Sequence, residues 1–143
     1  MSCVLGFDVG SKLIGVAVGN RITGSARALD TLAMRDGQPD WTALDRLQQG
    51  WSPDTLVVGL PLDLDGGEQP ASRLARRFAD AAHARYGIPV TLVDERHSSR
   101  EASRRFADAR AAGLRRRRDG ARIDAEAAAV ILERWLAEAG SSS

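Results

Sequence analysis

Apolar and polar residues alternate near the start of the chain, and the pattern predicts two strands. Between Leu5 and Val9 an apolar side chain falls on every second residue, and residues 13–18 form a nearly continuous apolar run. Alternation is typical of a strand with one buried face, whereas a short apolar run fits a strand covered on both faces. Gly10 and Ser11 lie between the two segments and supply the tight turn that joins them.

Further along the chain, helices and strands are predicted to follow one another. Polar starts, apolar stripes and Gly or Pro ends mark the helices, and short apolar runs mark the strands. The predicted elements are a strand over residues 21–32, a helix from Asp40 to Gly50, a strand over 55–59, a helix through Leu74 and Phe78 that ends at Tyr86 before Gly87, a strand over 90–93, a helix over 99–112 and a last helix from Ile123. We expect Trp41 and Trp51 in the core and the arginine-rich segment 114–120 as a mobile loop. One domain over 1–139, followed by a disordered tail over 140–143, accounts for the chain.

Several carboxylates occupy positions that suggest chemistry. Asp8 lies inside an apolar strand, where an ionised group is costly unless a metal ion or an arginine meets it. The glycines beside Asp8 leave one strand face bare, which would let a ligand approach the backbone. Asp94 and Glu95 follow the last strand, at the end where open α/β sheets bind ligands, and only one of the two can face Asp8. Asp124 projects from the apolar stripe of the last helix, although its position also fits an ordinary N-cap.

The order of these elements matches a ribonuclease H-like arrangement, which is an α/β fold with a mixed five-stranded sheet flanked by helices. The first strands are expected to be antiparallel and the later ones parallel to the first. In that arrangement Asp8, Glu95 and Asp124 can converge at one end of the sheet. Oxygen ligands without histidine or cysteine favour Mg²⁺ or Mn²⁺, with water and phosphate oxygens at the remaining positions. The three acids are therefore candidate metal ligands.

Charge is distributed unevenly, although the formal net charge is only +1. Ten arginines lie between Arg96 and Arg122, against the acidic residues Glu101, Asp108 and Asp119. A local excess of this size is typical of a surface that binds a polyanion, and a solvated helix face is the alternative. The candidate contacts to a nucleic-acid backbone are the only lysine, Lys12, and the arginines Arg96, Arg115, Arg116, Arg117, Arg118 and Arg122.

Composition limits the compartment and the partners of the protein. The single cysteine, Cys3, cannot form an internal disulfide, so a reducing cytoplasm is the expected location. No apolar run of the length that a membrane-spanning helix needs occurs in the sequence. Few aromatic residues are present, so stacking of nucleobases is poorly provided for. The sequence shows no dimer interface, and we expect a monomer or a weak homodimer.

Four motifs together produce a resemblance to a known family. In chain order they are FDVGSKLIGVAV, VGLPLDLDG, DERHSS and DAEAA. The chain resembles the YqgF/RuvX family, the Holliday-junction resolvase-like nucleases assigned to pre-16S rRNA processing, over almost all its length. The resemblance implies a ribonuclease H-like fold and a metal-dependent nuclease site at Asp8, Glu95 and Asp124. It also implies a role in trimming the 5′ end of the 16S rRNA precursor.

From the acids and the resemblance together we expect hydrolysis of RNA phosphodiester bonds with two Mg²⁺ or Mn²⁺ ions about 4 Å apart, Asp8 bridging both. A Holliday-junction DNA resolvase would use the same chemistry on another substrate. A non-catalytic RNA-binding protein would use the basic surface and keep the acids for stability. An ATP-binding relative of the actin-like proteins is a further alternative, because their phosphate-binding hairpin resembles residues 8–18, but those proteins need two such domains.

Overall fold

The computed structural model describes residues 3–61, 67–94 and 119–141, and these ranges contain six strands and three helices. In chain order the elements are β1 (Cys3–Val9), β2 (Leu13–Asn20), β3 (Ser25–Arg35), β4 (Gln38–Pro39), α1 (Trp41–Trp51), β5 (Thr55–Leu60), α2 (Pro70–Tyr86), β6 (Val90–Asp94) and α3 (Asp119–Ser141). All five strands expected from the sequence are present. The predicted helix over 99–112 lies outside the described residues.

The strands form one mixed sheet in the order β4-β3-β2-β1-β5-β6. β1, β2 and β3 pair antiparallel, while β5 pairs parallel with both β1 and β6. The predicted α/β architecture is confirmed, except that β4 adds a sixth strand. β4 pairs only with Met34 and Arg35 of β3, and two residues are too few to give a recognisable alternation. The parallel strands bring the carboxyl ends of β1, β5 and β6 to one edge of the sheet.

The third strand begins later than expected, because residues 21–24 form a turn. The side-chain oxygen of Asn20 accepts a hydrogen bond from the backbone N–H of Ile22 at 2.8 Å. Gly24 has a φ of 69°, which a residue without Cβ adopts at little cost. Asparagine and glycine in these roles favour a turn over continued strand pairing, so β3 starts at Ser25.

Capping residues mark the start of α1 and the end of α2 close to their predicted positions. The Asp40 carboxylate accepts a hydrogen bond from the backbone N–H of Ala43 at 3.2 Å, as an N-cap does. Gly87 ends α2 in the left-handed conformation with a φ of 68°. None of the helices within the described ranges is both long and apolar enough to span a membrane.

The last helix extends beyond its predicted bounds at both ends. α3 begins at Asp119 rather than Ile123, so its first two residues belong to the segment expected as a loop. It runs to Ser141, so its last two residues belong to the segment expected as a disordered tail. Asp124 therefore lies inside the helix and is not its N-cap.

Helices α1 and α2 cover one face of the sheet. Phe7 on β1 contacts Phe78 on α2 with ring centroids 5.1 Å apart, and Phe78 stacks on Trp41 of α1 at 6.1 Å. The core position of Trp41 is thus confirmed. The expectation for Trp51 is wrong, since its side chain is 36% exposed. Trp51 is the last residue of α1 and borders an open cleft, with Arg27 over its ring.

Helix α3 covers the opposite face, where glycines let it lie close to the sheet. Ala128 and Leu132 of α3 pack with apolar residues of β1, β2 and β5. A Cβ on Gly6 would lie 3.0 Å from the Cβ of Leu132, and one on Gly19 would lie 2.9 Å from its Cδ2. The bare strand face beside Asp8, which the sequence suggested for a ligand, is therefore covered by α3 at Gly6.

Candidate functional site

Asp8 is the penultimate residue of β1 and is partly buried against α3. Alternate residues of a strand point to the same face, so Asp8 shares the face of Gly6, which α3 covers. Across the hairpin, Asp8 pairs with Gly15 of β2. The carboxylate consequently lies on the α3 side of the sheet, away from the core formed by α1 and α2.

Asp124 also lies beside the carboxyl end of β1, because α3 makes a close contact with Gly15 of β2. A Cβ on Gly15 would lie 1.9 Å from the backbone oxygen of Asp124 and 2.8 Å from the backbone nitrogen of Ala125. Only a residue without a side chain allows two backbones to approach in this way. Because Gly15 is the register partner of Asp8, the contact places Asp124 beside Asp8.

The two carboxyl groups are held where their charged forms are unfavourable. Burial, with a smaller contribution from the charge of Asp124, raises the pKa of Asp8 to about 7. Burial likewise raises the pKa of Asp124. Neither acid takes part in the ion pairs between described side chains, which are Arg21–Asp54, Arg76–Glu68 and Arg85–Asp45. A bound cation would favour both charged forms and lower both pKa values.

The chemistry of this pair fits a hard divalent cation. Carboxylate oxygens are the ligands that Mg²⁺ and Mn²⁺ prefer. Two acids do not complete a ligand set, and nowhere in the described ranges do three or more His, Cys, Asp or Glu side chains come together. The predicted third ligand, Glu95, lies outside the described residues.

Strand β6, which lies beyond β5 from β1, fixes the face of the sheet on which Asp94 lies. The pairing registers of β5 and β6 place Asp8 level with Val93. Leu92 packs with the core under α1 and α2, whereas Val93 packs with the α3 core. Alternation along β6 then puts Asp94 on the side of Leu92, opposite to the face that Asp8 occupies.

Of the predicted substrate-binding residues, Lys12 is the one whose surroundings are described. Lys12 is exposed in the turn between β1 and β2, at the same sheet edge as Asp8. The turn is tight, since the N–H of Gly10 donates to the carbonyl of Leu13 at 2.8 Å. It is also joined to β3, where the N–H of Met34 donates to the carbonyl of Lys12 at 2.9 Å. The structure therefore brings Asp8, Asp124 and Lys12 to one edge.

Most of the arginines predicted to contact the substrate lie outside the described residues. Arg122 is in the first turn of α3, two residues before Asp124. Arg96 and the run Arg115, Arg116, Arg117 and Arg118 lie outside the described residues. Their part in binding stays a prediction.

Gly15 is the site residue that reasoning from the sequence missed. It interrupts the apolar segment of β2, and a glycine inside a buried strand often marks a close approach by another backbone. Taken together with Gly6 and Gly19, it could have predicted a groove of small residues that receives a helix. The sequence alone could not say which helix fills the groove.

Comparison with known proteins supports a single family. The family model RuvX, described as Holliday junction resolvase, matches residues 2–138. A Xanthomonas axonopodis pv. citri (strain 306) protein named "Putative pre-16S rRNA nuclease" is 56% identical over 134 residues, which cover 94% of this chain and 86% of the relative. A Xylella fastidiosa (strain M23) protein with the same name is 56% identical over 135 residues, covering 94% of this chain and 87% of the relative.

Among solved structures, Thermus thermophilus RuvC in complex with a Holliday junction substrate is similar, with a TM-score of 0.54 at 17% identity. The likeness covers 99% of this chain and 98% of the RuvC chain. At this level of identity it describes the fold, and it confirms the predicted ribonuclease H-like architecture.

Proposed function

Because the chain belongs to the RuvX family, we propose that it is a metal-dependent nuclease that hydrolyses RNA phosphodiester bonds in the 5′ maturation of pre-16S rRNA. The names of the Xanthomonas and Xylella relatives support the precursor rRNA as substrate. The observation that most supports a nuclease is the pair of partly buried carboxylates, Asp8 and Asp124, at the carboxyl end of β1. The ion pairs between described side chains involve neither carboxylate, and a cation would relieve their repulsion.

In this proposal Asp8, Asp124 and Glu95 hold Mg²⁺ or Mn²⁺. A divalent cation at such a site activates water and neutralises phosphate charge. The orientation of β6 supports Glu95 as the third acid, because alternation leaves Asp94 on the opposite face. Asp8 is fixed by the sheet and Asp124 by the contact of α3 with Gly15, so both ligands are held before substrate binds.

The substrate backbone would be bound by basic residues around this edge. Lys12 is exposed in a tight turn next to Asp8, and can hold a phosphate beside the acids. We assign the same role to Arg122 and to the arginine-rich segment before α3, Arg96 and Arg115 to Arg118. Such contacts orient the strand without reading its sequence, so they fit either RNA or DNA.

A Holliday-junction DNA resolvase is the second candidate. The description of the RuvX family and the likeness to RuvC bound to a Holliday junction favour it. Symmetric cutting of a four-way junction requires two active sites related by a twofold axis, and therefore a dimer. This candidate shares the acids of the first and differs in substrate and assembly.

Cleavage of matched labelled substrates distinguishes the candidates. The substrates are a pre-16S 5′ segment, the same sequence as DNA, and a four-way junction, each with Mn²⁺ or EDTA. We expect Mn²⁺-dependent cutting of the RNA, lost in Asp8→Asn and kept in the matched control Asp94→Asn. Junction cutting by a dimer, with the RNA intact, would support the resolvase. Binding of RNA without cutting under any condition would support a non-catalytic RNA-binding protein.

A further inference from the structure

A second concave site lies at the far end of the sheet from the acids. It is a cleft of about 410 Å³ at the start of β1, the end of β2 and the start of β3, and we call it the Trp51 cleft. Cys3 and Val18 form apolar parts of its lining, and Trp51 and Arg27 border it. Cys3 precedes Asp8 by five residues of extended strand, which separates the cleft from the acids by about 17 Å.

Three arginines of the described residues lie over tryptophan rings, and two of them are neutralised by acids. Arg21 donates to Asp54 at 2.9 Å and also to the hydroxyl of Thr55. Arg85 makes two hydrogen bonds with Asp45, at 2.8 and 2.6 Å. Both guanidinium groups already have carboxylate partners and act as structural links.

Arg27 differs from the other two. Its guanidinium carbon is 5.5 Å from the centre of the Trp51 ring, and no acid in the described part of the chain pairs with it. A guanidinium has five N–H donors in a planar fork that matches phosphate geometry. The guanidinium of Arg27 therefore lies over the Trp51 ring with N–H donors available to an anionic ligand.

Large apolar side chains are also exposed at this end of the molecule. Trp51 is 36% exposed and Ile22, in the turn between β2 and β3, is 82% exposed, and these are the exposed large apolar residues of the described ranges. Aromatic and apolar surface left open beside a charged group is typical of a binding site.

We propose that the Trp51 cleft binds one nucleotide of a single-stranded nucleic acid, with the base against Trp51 and a phosphate on Arg27. The apolar lining accommodates the flat faces of a base, and stacking on a tryptophan is tolerant of sequence. The cleft thus provides the stacking surface that the composition of the chain did not suggest. The choice of nucleic acid as ligand rests on the proposed function, but the site is separate from the acids and its binding requires no cleavage.

The test is the affinity for short labelled oligouridine, measured by fluorescence anisotropy in EDTA so that no cleavage occurs. Trp51→Ala and Arg27→Ala remove the two proposed contacts, and Trp51→Phe keeps a stacking ring. Arg46→Ala is the matched control, because Arg46 is an exposed arginine on α1 outside the cleft. Circular dichroism of each variant verifies that it is folded.

We expect Trp51→Ala to weaken binding about tenfold and Trp51→Phe to retain most of it. Arg27→Ala should weaken binding and lower the slope of log affinity against log salt by about one, while Arg46→Ala stays near wild type. Oligothymidine in place of oligouridine shows whether the site distinguishes RNA from DNA. These effects should persist in Asp8→Asn, so a failed nuclease proposal and a failed cleft proposal give different results.

Two results would overturn the proposal. One is a folded Trp51→Ala and a folded Arg27→Ala that both bind oligouridine as the Arg46→Ala control does. The other is light scattering that shows a dimer of the wild type, lost in Trp51→Ala with oligouridine binding unchanged. The second result would assign the cleft to self-association.

Discussion

Substituting Gly15 by alanine tests whether the approach of α3 to β2 positions Asp124 beside Asp8. The new Cβ would lie 1.9 Å from the backbone oxygen of Asp124, whereas ordinary contact begins at 3.4 Å. The obstructing atoms belong to the backbone, so no change of rotamer can relieve the overlap. The start of α3 must then retreat by about 1.5 Å, the difference between these two distances, and it carries Asp124 with it.

The size of this movement sets the expected effects. A displacement of about 1 Å in a catalytic group can reduce a rate about 100-fold, so we expect a loss of that order in the cleavage rate. Inserting a methyl group into a packed interface destabilises a protein by about 1–3 kcal/mol, and we expect a reduction of this size in the free energy of unfolding. Gly15→Ala should therefore remain folded while losing most activity.

Gly19→Ala is the matched control on the same strand. Its Cβ would meet the Cδ2 of Leu132 at 2.9 Å, and this is a side-chain end that can move without moving the helix backbone. We expect a comparable or smaller loss of stability and a nearly unchanged rate. Both variants are assayed for Mn²⁺-dependent RNA cleavage and for urea unfolding. A Gly15→Ala rate within threefold of wild type, or equal rate losses in both variants, would refute the positioning role of Gly15.

Two further predictions concern stability. In the metal-free protein, Asp8→Asn should raise the free energy of unfolding at pH 8 by about 2–4 kcal/mol, because the wild type must there keep a buried carboxylate ionised above its pKa of about 7. That pKa is above the ordinary value of 3.8, so the wild type should lose stability between about pH 4 and 7. Urea titrations of Asp8→Asn should show a smaller decline, because the raised pKa of Asp124 still contributes. An equal decline in both proteins would contradict the raised pKa of Asp8. Phe78→Ala should cost about 3–5 kcal/mol in urea unfolding, because Phe78 is 3% exposed and contacts both Phe7 and Trp41. A cost below about 1 kcal/mol would show that these ring contacts are not central to the core.

Local patterns were sufficient to predict most elements of the fold. The alternation before Val9, the N-cap Asp40 and the C-cap Gly87 each depend on nearby residues, and the structure has all three features. The antiparallel pairing of the first strands and the parallel direction of the later ones followed from the order of elements. β4 was missed because two residues give no periodic signal.

Features that depend on distant contacts were not predictable in the same way. The phase of the last helix left Asp124 equally suited to an N-cap and to the site, and the start of α3 at Asp119 excluded the cap. Trp51 has the composition of a core residue, but its exposure depends on how α1 ends over the sheet. The role of Gly15 required knowledge of which backbone crosses it.

We propose that Asp8, Asp124 and Glu95 form one divalent metal site. Isothermal titration calorimetry tests this site directly. Mn²⁺ is titrated into the wild type and into the variants Asp8→Asn, Asp124→Asn, Glu95→Gln and Asp94→Asn. We predict that the wild type and Asp94→Asn bind Mn²⁺ alike, and that each of the other three variants loses at least one binding event or tenfold in affinity. Loss of binding in Asp94→Asn with retention in Glu95→Gln, or unchanged binding in Asp8→Asn, would contradict this assignment.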